Sequence, residues 1–203
     1  ADGMLVCAVD GSIRAFNHKL SELWRMPESL LLHRDDAAVM AHLRSLVELP
    51  QRYDLRLEEL GRQPQLQGCD LLHLLDGRVI ERRSVPLLRH GIPVGRIYSF
   101  RDITREAEIQ NGLRVAAQVF ESSLDAIFIA DARGVIIKSN PACTRLMGGV
   151  LPGGARASEL FGQRGLGWLE QAAEDWESQG HWAGNCILQR LDGGECPVHL
   201  SWV

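Results

Sequence analysis

Gly11-Ser12-Ile13-Arg14-Ala15-Phe16-Asn17 returns, 123 residues further on, as Gly134-Val135-Ile136-Ile137-Lys138-Ser139-Asn140. Each copy pairs a turn glycine with an extended run and closes on an asparagine able to cap a helix. A second marker, Asp76-Gly77, returns as Asp192-Gly193 at an offset of 116. Two markers in the same order at nearly equal offsets indicate a duplicated domain of somewhat over about 100 residues. The seam between the copies then falls at Phe100-Arg101-Asp102-Ile103-Thr104. Copy one runs 28 residues from Asp76 to Thr104, whereas copy two has 11 beyond Asp192, so the second copy is expected to lack its last strand.

Working outward, Met4 to Val9 and the run ending at Asn17 read as two strands about an Asp10-Gly11 hairpin turn. Asn17 caps a helix with Leu20, Leu23 and Trp24 at helical spacing, ended by Pro27. Asp35 and Asp36 open a longer helix whose face carries Val39, Leu43, Leu46 and Val47, and Pro50 is expected to close it. Gln51 to Gln67 reads as a polar helical insertion with no counterpart in copy two. Three extended runs follow, Cys69 to Leu75, Arg78 to Leu88 and Val94 to Phe100, with turns at Asp76-Gly77 and His90-Gly91. They predict an antiparallel meander.

Copy two repeats the order. Ala126 to Ala130 and Val135 to Ser139 are its opening strands, and Asn140-Pro141 starts a helix. Leu166, Leu169, Ala172, Ala173 and Trp176 share a helical face. Trp182 to Leu191 and Cys196 to Val203 are strands about Asp192-Gly193-Gly194. Between the copies, Arg105 to Ser123 predicts a helix in which Ile109, Leu113, Ala116 and Phe120 form a heptad seam. Gly112 weakens it by about 1 kcal/mol relative to alanine, so the stripe needs a cover. The candidates are the second domain's sheet and the same helix of another subunit, with a parallel homodimer expected.

The net charge of -4 is spread over both signs, with no basic stripe for nucleic acid. Arg78, Arg82, Arg83, Arg89, Arg96, Arg101 and Arg105 are expected at solvated edges or beside carboxylates such as Glu81. The cysteines Cys7, Cys69, Cys143, Cys186 and Cys196 are odd in number and contain no Cys-x-x-Cys pair. That argues against a disulfide framework or structural zinc and points to a reducing, cytoplasmic setting. No apolar run approaches the roughly 18 residues of a membrane span, and no signal peptide opens the chain. No phosphate loop, nucleophile motif or metal-ligand spacing marks an enzyme.

The order strand–strand–helices–three strands, the Gly-x-Ile opening ending in Asn, the Asp-Gly hairpin and the terminal Phe100-Arg101-Asp102-Ile103-Thr104 resemble the PAS family. Asn140-Pro141-Ala142 and Trp182-Ala183-Gly184 in copy two resemble typical positions as well. The resemblance implies an α+β fold of two PAS-like domains, residues 1–104 and 124–203, joined by an amphipathic signalling helix at 105–123. Each would be a five-stranded antiparallel sheet with helices packed on one face. It implies a sensory region of a bacterial multidomain signalling protein, with no catalytic site of its own. A histidine kinase or cyclic-di-GMP enzyme would lie beyond Val203. Asp102, Ile103 and Thr104 would tie the last strand to the outgoing helix, and Ile109 and Leu113 would carry the relay.

The ligand is open at this point: a small molecule, a redox cofactor or none, the last giving a pure dimerisation module. Haem-binding relatives use a histidine on the long helix, where His42 sits. Flavin-binding relatives have a tryptophan matched by Trp182, although Asn185 replaces the usual acidic residue nearby. Asn185-Cys186-Ile187-Leu188-Gln189 echoes a photoreactive-cysteine motif but falls on a strand instead of a helix, so that chemistry is not expected.

Overall fold

Val6 stands opposite Ala15, and Leu5 opposite Phe16, in an antiparallel pair formed by β1 (Gly3–Ala8) and β2 (Ile13–Phe16). Gly11 allows the turn between them, with φ of +86°. This is a computed structural model describing residues 2–27, 29–30, 35–161 and 180–203, and the chain divides into two units, 1–111 and 112–203.

In the first unit, Asn17 caps α1 (His18–Leu23) by accepting the Leu20 N–H, and Leu20 and Trp24 are fully buried. Asp35 caps α2 (Asp36–Ser45) by accepting the Ala38 N–H, and Val39 and Leu43 face the core. The helix stops earlier than its apolar face suggests. Leu46 is its C-cap, and Val47 forms an isolated bridge with Leu74. Pro50 does not close this helix. It opens α3 (Pro50–Arg62) in the first turn, where its missing N–H has no partner to lose. Nor is the insertion merely polar, because Tyr53 and Leu60 on α3 are buried against the sheet.

β3 (Gly68–His73), β4 (Val79–Arg89) and β5 (Ile92–Asp102) form the meander. His90 and Gly91 both have positive φ, 51° and 79°, as the tight β4–β5 turn requires. The five strands form one antiparallel sheet in the order β2-β1-β5-β4-β3, with the last strand in the centre. Helices cover one face. Their side chains, with Leu5, Leu72, Leu74, Ile80, Tyr98 and Phe100 from the sheet, make the core.

α4 (Thr104–Ser122) follows β5. In the second unit, β6 (Phe128–Ala130) pairs with β7 (Ile136–Ser139). Asn140 caps α5 (Pro141–Met147), which ends on Gly148 in the left-handed conformation. A short 3-10 turn, Ala157–Phe161, precedes β8 (Trp182–Gln189) and β9 (Glu195–Trp202), a long hairpin. Leu191 N–H donates to the Met147 carbonyl at 2.9 Å, tying that hairpin to α5. Both hairpins share one core built on Cys143, Met147, Leu160, Phe161 and Leu188. Their ladders remain separate, and among the described residues no strand pairs with both β6 and β9. The helical face predicted at Leu166, Leu169, Ala172, Ala173 and Trp176 lies outside the described residues.

Two members of the arginine cluster are buried, Arg82 beside the carboxylate of Asp70, within expectation, and Arg96 against backbone carbonyls, a departure from it. Arg83, Arg89, Arg101 and Arg105 are exposed, but Arg82 is 1% exposed and Arg96 7%. Strand alternation is the reason: Ile80, Arg82 and Ser84 on β4, and Arg96, Tyr98 and Phe100 on β5, point to the covered face.

Candidate functional site

Asp102-Ile103-Thr104 closes the central strand and starts α4. The Ile103 N–H donates to the Val79 carbonyl at 2.9 Å. The Val79 N–H donates to Thr104 Oγ1 at 3.0 Å, which extends the β4–β5 ladder through a side chain. Asp102 Oδ1 accepts the Thr104 N–H at 2.9 Å and the Thr104 hydroxyl as well. Thr104 therefore receives one hydrogen bond from β4 and gives one to Asp102, so the start of α4 is fixed to the sheet by saturated groups.

Beyond this junction, the first half of the apolar stripe of α4 is exposed among the described residues. Ile109 is 54% exposed and Leu113 68%, and no residue of the helix is buried. At the other end, Asn140 binds the last turn of α4. Its Nδ2 donates to the Phe120 carbonyl at 3.1 Å and to the Asp125 carbonyl at 2.8 Å. Its Oδ1 accepts the Ile127 N–H at 3.0 Å and the Cys143 N–H at 2.9 Å. All four capacities of one fully buried amide are used. Lys138 adds an ion pair to Glu121 at 3.3 Å and lies 4.8 Å from the centre of the Phe120 ring.

The second site is the covered face of the first unit. The register sets Asp70, Arg82, Phe100 and Gly3 in one row, and Gly68, Ser84, Tyr98 and Leu5 in the next. Arg96 lies one row further on, beside Cys7. Its guanidinium donates to the Leu66 carbonyl and Ser84 Oγ, both at 2.7 Å, and to the carbonyls of Leu60, Gln63 and Pro64 at 3.0–3.1 Å. It thereby caps the C-terminus of α3 with positive charge.

Arg82 is differently placed. Its Nε donates to Asp70 Oδ2 at 2.8 Å. Nη2 stands 2.5 Å from the same oxygen and completes the ion pair. Nη1 is buried without an acceptor. The Tyr53 ring covers the guanidinium at 4.9 Å. Trp24 Nε1 is likewise buried without an acceptor, its ring edge-on to Phe100 at 5.4 Å. Each unsatisfied buried donor costs about 1–3 kcal/mol. Burial pushes the Tyr53 hydroxyl up to about 12 and the Cys7 thiol up to about 11, and raises Tyr98 as well.

The cofactor candidates lie in separate units, His42 in the first and Trp182 and Asn185 in the second. His42 is half-buried, and its Nε2 lies 2.9 Å from the Trp24 carbonyl, at the C-terminus of α1. Trp182 and Asn185 are three apart on β8 and so project to opposite faces. Trp182 shares its face with the core residue Leu188 and packs over Gly184, where an added Cβ would lie 2.3 Å from the indole. Asn185 is exposed, with its Oδ1 2.9 Å from His199 Nδ1. All five cysteines are free, and no metal-binding group of His, Cys, Asp and Glu occurs among the described residues. Among those residues no helix is long and apolar enough to cross a membrane. Sequence reasoning did not single out Arg82, Arg96 or Asn140's contact with α4; the period-2 placement of the two arginines was the available signal.

Comparison with known proteins finds one family model: the family described as PAS domain matches residues 116–186. No curated protein matches the chain. Among solved structures, the sensor region of a sensor histidine kinase is 18% identical, with a TM-score of 0.43 over 52% of this chain and 40% of that one. The chain thus spans well under half of that sensor region. An RNA-binding light-oxygen-voltage receptor is 13% identical with a TM-score of 0.38, covering 99% of this chain and 90% of its own. The PAS domain of a Colwellia psychrerythraea protein is 19% identical with a TM-score of 0.35, covering 51% and 87%. Likenesses at this level say nothing of what the present chain binds.

Proposed function

We propose that this chain is the sensory input region of a bacterial signal-transduction protein, built from two PAS domains in tandem. The domains are residues 1–104 and 124–203, with 105–123 as the signalling helix. The region perceives a small-molecule or redox cue and alters the pairing of α4 between two copies of the chain. An output domain, a histidine kinase or a cyclic-di-GMP enzyme, reads that geometry. The region is cytoplasmic and has no catalytic residue of its own.

One observation carries this reading. α4 starts on Asp102 and Thr104 at the centre of the sheet and leaves its Ile109–Leu113 stripe uncovered. A stripe at heptad spacing whose Ile109 and Leu113 stay exposed among the described residues fits the seam of a parallel dimer. The test is the oligomeric state of the I109E/L113E variant by light scattering on a size-exclusion column. A shift from dimer to monomer supports the reading; a wild-type chain that is already monomeric, or a variant that stays dimeric, overturns it.

The rival reading is a ligand-free dimerisation module. It draws support from Arg96, whose two terminal nitrogens meet five acceptors and whose guanidinium fills part of the covered face. Flavin or haem sensing has weaker support, given the opposed faces of Trp182 and Asn185 and the carbonyl contact of His42. An absorption spectrum of the purified chain tests both cofactors, through bands near about 450 nm for flavin and about 400 nm for haem.

A further inference from the structure

β4 and β5 run past the rest of their sheet. β3 pairs with β4 no further than Ser84, opposite Gly68, and β1 pairs with β5 no further than Gly95, opposite Ala8. Beyond those pairs the hairpin continues with no third strand beside it, through Leu88 opposite Pro93 and Arg89 opposite Ile92. His90 and Gly91, both at positive φ, close it. A two-residue turn of that kind matches the twist of its strands, so the tip is a stiff projection.

That projection is apolar. Leu88 is 52% exposed and Ile92 66%, and Leu87 and Val94 are exposed as well. Leu87 and Leu88 are consecutive on β4 and so project to opposite faces, with Val94 as the extra residue of the bulge across from them. Val9, in the β1–β2 turn, stands at the same end of the sheet, one residue beyond the Ala8–Gly95 pair, and is 68% exposed. Single exposed apolar residues are ordinary on a protein surface, whereas a cluster on one projecting end marks a contact.

Charge selects the occupant. No Asp or Glu occurs between Arg82 and Arg101. Arg83 and Arg101 pair with Glu81 and Asp2, but Arg89, opposite Ile92 at the tip, is exposed and has no carboxylate partner among the described residues. Asp10, in the neighbouring turn, is engaged by the N–H and hydroxyl of Ser12. A second copy set tip to tip would bring Arg89 against Arg89, with no acid in either hairpin to meet it. A layer that is apolar inside and anionic at its surface meets both halves of the pattern.

We propose that the β4–β5 tip of the first unit docks on an anionic lipid bilayer. Leu88 and Ile92 enter the acyl boundary, and Arg89 stays at the level of the phosphates. The inference goes beyond the sensory reading and does not depend on it.

The experiment is co-sedimentation of the full chain with vesicles of phosphatidylcholine and phosphatidylglycerol in equal parts, and with vesicles of phosphatidylcholine alone. The anionic vesicles should bind the chain at least about fivefold more tightly. L88S/I92S should weaken that binding about tenfold or more, and Arg89→Glu about fivefold. All three side chains are exposed, so both variants should keep the wild-type unfolding midpoint. No binding to either vesicle, equal binding to both, or wild-type binding by a folded L88S/I92S overturns the proposal. A chain that binds no vesicle but loses self-association in L88S/I92S has a second copy at the tip instead, which overturns it too.

Discussion

Asn17 and Asn140 occupy the same place in the two units and carry different loads. Asn17 Oδ1 accepts the Met4 and Leu20 N–H groups, and its Nδ2 donates to the Asp2 carbonyl. Asn140 makes the equivalent three bonds, to Ile127, Cys143 and Asp125, and adds a fourth to Phe120 on α4. In each unit the asparagine thus holds the joint between strand, helix and preceding segment, and in the second it also binds the last turn of α4. The covered faces diverge further. The first unit buries Arg82, Arg96 and both tyrosines of the chain, whereas the described core of the second is apolar apart from thiols and Asn140. The two units share the joint and differ in their interiors.

That contrast can be broken most forcefully at Arg96. Arg96→Met should destabilise the first unit by about 3–4 kcal/mol, because five acceptors around α3 lose a charged donor. Urea denaturation, with hydrogen exchange at Leu60 to Gln63, measures it; a loss below about 1 kcal/mol would mean that water replaces the guanidinium. The paired asparagines come next. Asn140→Ala should cost about 2–3 kcal/mol and Asn17→Ala about 1–2 kcal/mol, since the latter makes one bond fewer at a more exposed site. Equal losses would show that the Phe120 contact is energetically idle.

Thr104→Val should have a smaller effect, about 1 kcal/mol, by removing the Val79 and Asp102 hydrogen bonds while keeping the side-chain volume. Its sharper readout is the helicity and exchange of the first turn of α4.

Alkaline titration separates the units by extent. Cys7 is raised from 9.0 to about 11 and Tyr53 from 10.0 to about 12, both chiefly by burial. Both groups hold their protons more tightly when folded. Their stabilisation is complete below the unfolded values and is lost as pH climbs through the window from 9.0 to about 12. In the second unit, burial raises the thiols of Cys143 and Cys186, but there is no tyrosine to titrate. Denaturant midpoints between pH 8 and 11 should therefore fall for the first unit more than for the second, as resolved by exchange mass spectrometry. The smallest effect is kinetic: exposed Cys69 should react with a thiol reagent before buried Cys7 and Cys143.

Much of the backbone was legible because short-range chemistry sets it. Asp10-Gly11, Asp76-Gly77 and His90-Gly91 mark turns, and Asn17, Asp35 and Asn140 mark helix starts. Pro50 was misread because a proline that ends one helix and one that begins the next look alike without knowing where α2 stops. That point was set by the Val47–Leu74 bridge, a contact between residues distant in sequence. The buried arginines were hidden by an assumption about charge. Yet Arg82 lies midway between Ile80 and Ser84 in strict alternation, and Arg96 is two residues from Tyr98, so strand period alone assigned both to the covered face. The same arithmetic parts Trp182 from Asn185, three residues apart on one strand. The sharing of Asn140 with Phe120 had no local sequence signal, since it joins residues twenty apart.

The saturated amide of Asn140 also makes the last turn of α4 unable to fray privately. Releasing the Phe120 carbonyl strands one Nδ2 hydrogen inside a buried joint, where it has no alternative acceptor from the same set. Unwinding at that turn must then either admit water or loosen the grip of the side chain on the Ile127 and Cys143 amides. Those two amides, neither of them in α4, therefore act as remote gauges of its integrity. The helix end, the opening strand and α5 share a single rate of exposure, set by one side chain.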